Sequence, residues 1–379
     1  MCLEAQDQFK PTRPGQSGGS VLLFLLLPLL LSSCDRFFAQ GNDTVEAEGP
    51  AVSTGPGLDN PEAQTPERRA WALVVHGGFG DSGSGLHAER TAGLREVADV
   101  AARRLASGEA ALQVVTDLMD QLEQDPRFNA GRGSTFNRRG VHEMSAALMD
   151  GRTRAFGAVG GLRNVRSPIA AAHAALQHHQ GGPLLADAAD SFSRTLSLPR
   201  APQDSFTTPE RFAAWRSFRQ EARRLEREGN KVSAPIDPVG ALALDSFGNL
   251  AAAVSFGGYT DAAPEQPFAI SSVGPGIYAD NRGAAAIAIG PEERLLSCQF
   301  PTAVATTTAH ADQEMIEVLL EVANGCPGRG PLALLAIDRW GHTAIISPDA
   351  TPSLLYRVAE ADSTNDSTSD PSLPPAANG

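Results

Sequence analysis

The sequence predicts an α+β protein, a sandwich of two β-sheets covered by helices, in one domain from about Ala70 to Arg357. Three observations carry this reading. Short runs of strand length, such as Trp71 to Val75 and Leu332 to Ile337, are apolar on both faces, as expected of strands buried between layers. Segments with helical period fall in pairs between groups of strands. The 379 residues are 42% hydrophobic and 20% charged, which describes a globular chain rather than a disordered one.

In chain order, Lys10 and Arg13 precede the apolar run Val21 to Leu31. That run is too short to span a bilayer as a helix but suits the core of a signal peptide. It ends Leu31-Ser32-Ser33-Cys34, which resembles the bacterial lipobox, where small residues precede a Cys that is lipidated and becomes residue one. Residues 1–33 are expected to be a lipoprotein signal peptide and Cys34 the lipidated residue; the alternative is an ordinary secretory signal cut near Ala39. Lipid chains at Cys34 would anchor the chain by burial of CH₂ groups. Its place would then be the cell envelope, on the outer side of the cytoplasmic membrane. Residues 34–69 are rich in Pro, Gly and acidic residues and predict a disordered tether. Its mean reach is roughly 30–35 Å.

Trp71 to Val75 reads as a buried strand, followed by the tight turn His76-Gly77-Gly78-Phe79-Gly80. The turn lacks both the P-loop Lys-Ser/Thr and the dinucleotide-binding spacing. Leu94, Val97, Val100, Ala101 and Leu105 form a helical stripe within Leu86 to Leu105. Leu112, Val115, Leu118 and Leu122 form another within Glu109 to Gln124. A structured loop follows from Asp125 to Ser134, then strands in His142 to Gly151 and Phe156 to Gly161. Ser167 is the expected N-cap, with Pro168 in the first turn, of a helix over Ile169 to His179. Residues 180–235 are polar and irregular with one helical patch, Pro209 to Glu228, and read as a surface excursion or a long internal linker.

A hairpin runs from Ile236 to Gly258, turning at Asp245-Ser246-Phe247-Gly248-Asn249. Strands are expected over Ile277 to Asp280 and Ala284 to Ile289, helices over Phe300 to His310 and Asp312 to Asn324. A second hairpin joins Leu332 to Ile337 with Thr343 to Ile346. Folded as an antiparallel pair, the two helices bring Cys298 and Cys326 to the same end. In an oxidising compartment the choice is between a disulfide and two buried thiols. Residues 358–379 read as a disordered tail.

The net charge is −13 and no basic cluster is present, which argues against a nucleic-acid partner. A transition-metal site is not supported either. His142-Glu143 lacks a second His four residues after the first, where Ala146 stands, and the adjacent His178 and His179 point to different helix faces. No cofactor is expected.

With these residues laid out, the domain resembles the plant-type asparaginase/isoaspartyl peptidase family of N-terminal-nucleophile hydrolases. The resemblance covers nearly all of Ala70 to Arg357 and rests on separate stretches in the same order. These are His76-Gly77-Gly78; Leu122-Glu123 through Phe128-Asn129-Ala130-Gly131-Arg132-Gly133; His142-Glu143-Met144 with Met149-Asp150-Gly151; Val239-Gly240-Ala241 through Gly248-Asn249-Leu250-Ala251-Ala252-Ala253; Gly257-Gly258; and Gly274-Pro275-Gly276-Ile277-Tyr278. It implies a four-layer αββα sandwich, usually in a homodimer. It also implies a loop that wraps a structural Na⁺ through backbone carbonyls, here of Leu122, Glu123, Asp125, Phe128, Ala130 and Arg132. Scaffold packing alone is the other explanation for that loop, and for Asn129.

In the family a Thr begins a T-V-G segment; the precursor cleaves itself before this Thr, which then attacks an Asn side chain or a β-aspartyl peptide. Both steps require a hydroxyl. Here the segment is Pro238-Val239-Gly240. The Thr of the family's S-T-G-G segment becomes Phe256. The Arg that grips the substrate α-carboxylate falls at Gln266, the Asp that receives the α-amino group at Ala269, and the T-G-x-G turn becomes Ile289-Gly290-Pro291-Glu292. Gln cannot replace bidentate Arg recognition of a carboxylate. The expectation is a family member that has kept the fold and lost self-processing and amide hydrolysis, acting in binding or assembly on a ligand the sequence does not identify. The alternative is an active amidohydrolase of altered nucleophile, for which Ser255, Tyr259 and Thr260 are the nearby hydroxyls.

Overall fold

The computed structural model describes residues 69–79, 85–179, 181–230, 234–266, 268–310, 313–347 and 352–358. The signal peptide, Cys34, nearly all of the tether and nearly all of the tail lie outside the described residues. Arg69 and Val358, placed in tether and tail by the sequence, belong to the fold. Arg69 N–H donates to the Trp340 carbonyl (2.9 Å), and Val358 pairs with Ala72.

Two sheets form the centre. The larger has seven strands in the order β11-β1-β5-β6-β2-β3-β4. These are β1 (Ala72–Phe79), β2 (Met144–Asp150), β3 (Phe156–Leu162), β4 (Leu184–Leu185), β5 (Val239–Leu244), β6 (Leu250–Phe256) and β11 (Pro352–Val358). Among the described strands only β3 and β4 pair in parallel. The smaller sheet, in the order β10-β9-β8-β7, contains β7 (Ile277–Ala279), β8 (Ala284–Ile289), β9 (Ala333–Asp338) and β10 (Thr343–Ile346).

Strand period explains why these runs are apolar on both faces. Leu73, Val75, Ala241, Ala243, Ala251 and Ala253 enter a core shared with helices α1 (Gly85–Ala106), α2 (Ala111–Gln124) and α3 (Pro168–His178). The alternate residues Ala72, Val74, Leu242, Leu244, Ala252 and Val254 enter a second core with Ile287 and Leu335 of the smaller sheet. That core continues to α6 (Glu292–Cys298), α7 (Phe300–His310) and α8 (Met315–Gly325) through Leu295, Val304 and Val318. The layers are helix, sheet, sheet, helix.

Local chemistry fixes the joints. Asp245 Oδ1 accepts the N–H groups of Phe247 and Asn249 (3.0 and 2.8 Å), closing the β5–β6 turn, in which Gly248 takes φ +89°. Its Oδ2 accepts the N–H of Ala111 (3.0 Å) and so caps α2. Asp338 closes the β9–β10 turn in the same way, accepting from Trp340 and His342. Ser167 caps α3, accepting from Ala170 N–H, with Pro168 in the first turn. Cys298 and Cys326 are joined as a disulfide with Cα atoms 5.8 Å apart.

The excursion is more ordered than its composition suggests. It contains β4, α4 (Asp187–Thr195) and α5 (Pro209–Arg227). The buried face of α4 is Ala189, Asp190 and Ser193, so it shows no apolar stripe. Helix α5 lies against the hairpin end through Arg211 and Trp215, whose ring meets Phe136 at 5.2 Å. No residue of α5 is buried, so this part of the segment is a surface excursion held by these contacts.

Candidate functional site

The hairpin end places Pro238 one residue before β5, where it is buried and where its missing N–H takes nothing from the ladder. Asp237 beside it is also buried, and three elements converge on its carboxylate. Asn129 Nδ2 donates to Oδ1 (2.7 Å). Arg90 of α1 and Arg211 of α5 reach Oδ2 at 3.4 and 3.3 Å. Asn129 also donates to the Gly258 carbonyl (2.9 Å) and accepts the Thr135 N–H (2.9 Å), which joins its loop to the double glycine after β6. Gly78 takes φ +85°, and a Cβ there would lie 2.5 Å from Asp237 Cα, so the His76-Gly77-Gly78 turn packs directly on this backbone. His76 is buried in front of Gly240 with neither ring nitrogen hydrogen-bonded. Burial lowers its pKa to about 3, opposed only in part by the Pro238 carbonyl, so the ring is neutral.

Phe256 is fully buried at the end of β6. It meets Tyr259 and Phe268 edge-to-face at 5.0 and 5.3 Å, and those two rings meet each other at 5.4 Å. Tyr259 donates its hydroxyl to Glu292 Oε1 (2.8 Å), and Glu292 Oε2 accepts the N–H of Ala269. Burial raises the Glu292 pKa. Burial, reinforced by Glu292, raises that of the Tyr259 phenol. Ala269 begins the one-turn helix Ala269–Ser271 and is buried. Ile289 is fully buried in the core between the sheets, with Gly290 just beyond it. Gln266 is exposed and lines a cavity of about 540 Å³ with Phe218 and Ala222 of α5 and with Tyr259, Thr260 and Asp261. The sequence-derived positions therefore separate: Pro238, Asn129, Phe256 and Ala269 are buried, whereas Gln266 faces outward under α5.

Among the described residues, Ser134 Oγ is buried beside Gly257 without a hydrogen-bond partner, whereas the three hydroxyls that the sequence offers at the hairpin end are engaged. Ser255 points to the helix-side face of β6 and donates to the buried Glu123 (2.6 Å). Thr260 bonds Thr135 (2.9 Å), and Tyr259 bonds Glu292. Glu123 also accepts from Ser167 Oγ (2.6 Å) and Ile169 N–H (2.8 Å), tying α2 and α3 to β6. Burial nevertheless raises its pKa to about 8.

Within the loop Leu122 to Arg132, the carbonyls of Leu122, Asp125 and Ala130 each accept one N–H and keep a second lone pair. The carbonyls of Glu123 and Phe128 crowd the glycines: a Cβ at Gly131 or Gly133 would lie 2.2 or 2.1 Å from them. Such a set of neutral oxygens suits a hard cation. Among the described residues no His/Cys/Asp/Glu cluster is arranged to hold a metal.

Sequence reasoning did not single out Asp237, Arg90, Arg211 or Glu292. Arg211 sits in a helix dense in Arg and Glu, where nothing local marks one guanidinium as the inward one.

A family profile described as asparaginase matches residues 69–367. The isoaspartyl peptidase of Salmonella typhimurium is 32% identical over 263 residues, covering 66% of this chain and 82% of that protein. That of Escherichia coli is 33% identical over 263 residues, covering 66% and 80%. The isoaspartyl peptidase/L-asparaginase of Danio rerio is 34% identical over 227 residues, covering 59% and 71%. Profile, relatives and layered architecture agree, and the chain belongs to the isoaspartyl peptidase/L-asparaginase family, with the fold of the N-terminal-nucleophile hydrolases.

Proposed function

We propose that this chain is a non-hydrolysing member of its family, a single uncut chain that binds rather than cleaves. The observation that carries this is the filled hairpin end. Pro238 stands at the nucleophile position without a hydroxyl, Phe256, Tyr259 and Phe268 occupy the space beside it, and α5 is pinned across it by Arg211 and Asp237. The relatives named as peptidases support a shared scaffold. The chemistry at Pro238 does not support a shared reaction, since attack on an amide requires a nucleophile that proline lacks.

An amidohydrolase with a displaced nucleophile is less well supported. Ser255 faces the other core, Thr260 bonds Thr135, and Tyr259 has a raised pKa, the wrong direction for a nucleophile. The tether and Cys34 complete the proposal: a lipid-anchored protein outside the cytoplasmic membrane, held just off its surface. A Na⁺ at the carbonyls of Leu122 to Arg132 and a homodimer belong to it as well. The test is the intact mass of the protein from membranes, together with ammonia release from asparagine and cleavage of β-aspartyl dipeptides. One lipidated chain with no turnover is expected. Two fragments split between Asp237 and Pro238 at neutral pH, or measurable turnover, would refute it.

A further inference from the structure

A cavity of about 370 Å³ lies away from Pro238, walled by Gln124, Arg132, Arg166, Ala201, Ser205 and Phe206. No carboxylate lines it. Arg132 and Arg166 are exposed toward it, and neither forms an ion pair among the described residues. Arg166 also borders a neighbouring groove that carries Asp117 and Asp120, but Asp117 is paired with Arg104. Arg166 Nε donates to Gln124 Oε1 (3.3 Å). That contact fixes the amide, because the reverse orientation would set donor against donor. The Gln124 Nε2 group is left buried with no hydrogen-bond partner. A buried amide N–H₂ without an acceptor loses its hydration with nothing in return, so an acceptor is called for here.

The walls are rigid. Arg132 sits in the one-turn helix Gly131–Gly133, whose flanking glycines admit no side chain. Arg166 N–H donates to the Pro199 carbonyl (2.9 Å), Ala201 N–H to the Asn164 carbonyl (3.0 Å), and Val165 bridges Arg200. Phe206 is 2% exposed and gives the cavity an apolar side. The volume far exceeds the roughly 30 Å³ share of one water. On a chain of net charge −13, long-range attraction does not favour anions, so any anion affinity must come from this local set.

We propose that this cavity binds a small oxyanion, a carboxylate or phosphate group, through the Arg132 and Arg166 guanidiniums, the Gln124 amide and the Ser205 hydroxyl. Two guanidinium forks match the paired oxygens of either group. The site does not depend on whether the hairpin end hydrolyses anything.

The test is calorimetry and thermal unfolding of the full mature chain in detergent, titrated separately with inorganic phosphate, acetate and succinate, with chloride at matched ionic strength as control. Saturable binding is expected from phosphate or from the carboxylates, and their relative affinities identify the preferred group. Arg132→Gln and Arg166→Gln should each weaken it about tenfold or more, with Tm unchanged when no anion is added. Gln124→Leu should weaken it less. A shift reproduced by chloride, or binding that survives in the Arg132→Gln/Arg166→Gln double variant, would overturn the proposal.

Discussion

Asp237→Ala is the sharpest probe of the hairpin end. The carboxylate it removes is the ion-pair partner of both Arg90 and Arg211. Arg90 is 5% exposed, so its charge would be left buried without a counter-charge. Breaking a buried pair from one side costs about 3–5 kcal/mol. The contacts at 3.3 and 3.4 Å are long for charge-assisted bonds, and the Arg211 side chain keeps 17% exposure, so about 3 kcal/mol is the better figure. Removing the acceptor of the Asn129 bond adds about 1 kcal/mol. The assay is urea unfolding followed by far-UV circular dichroism, with Cm compared at constant m. Arg211→Ala should cost less, about 1–2 kcal/mol, because Asp237 keeps Arg90 and Asn129. It should also expose α5 to limited proteolysis. An Asp237→Ala change within about 0.5 kcal/mol of the parent would show that the cluster does not hold this region together.

Pro238→Thr alone is expected to give neither self-cleavage nor ammonia release, read by mass and by a coupled assay, because Phe256, Tyr259 and Phe268 still fill the adjoining space. Burial raises the folded pKa of Glu123 to about 8 from the ordinary 4.5, so the folded state holds its proton more tightly. The contribution of this group to stability should fall as pH rises from about 4.5 to about 8. Glu123→Gln should remove that part of the slope of Cm against pH. His76 runs the other way, its folded pKa lowered to about 3 from 6.5, so stability should be lost as pH falls through that window. Reducing the Cys298–Cys326 disulfide, whose partners are 28 residues apart, should cost about 3 kcal/mol, seen as a lower Cm in reductant.

The sandwich was legible because each inner strand feeds two apolar cores and declares itself by unbroken hydrophobicity. The Asp245-to-Asn249 turn and the Ser167-Pro168 cap were legible because their side chains act within a few residues. What the sequence hid was long-range or polar. Strand β11 pairs with β1 far up the chain, and α4 buries Asp190 and Ser193 rather than a stripe of leucines. That Pro238 carries no hydroxyl could be read at a single residue. What fills the space could not, because Glu292 reaches the Ala269 N–H across 23 residues and Arg211 reaches Asp237 across 26.

The two features of the hairpin end depend on one peptide bond. Asp237 supplies the carboxylate that holds Arg90 and Arg211, and Pro238 begins the hairpin that holds Asp237 in place. A cut between these two residues would make Asp237 a free chain end. Here such a cut would release the counter-charge of a guanidinium that is 5% exposed and the anchor of α5 together. A carboxylate in a loose chain end would have to be re-ordered at an entropic cost of about 1–2 kcal/mol per residue, which offsets much of what the ion pairs contribute. The arrangement is therefore more stable with the bond intact. The Asp237–Pro238 bond is thus the joint that keeps α5 in place.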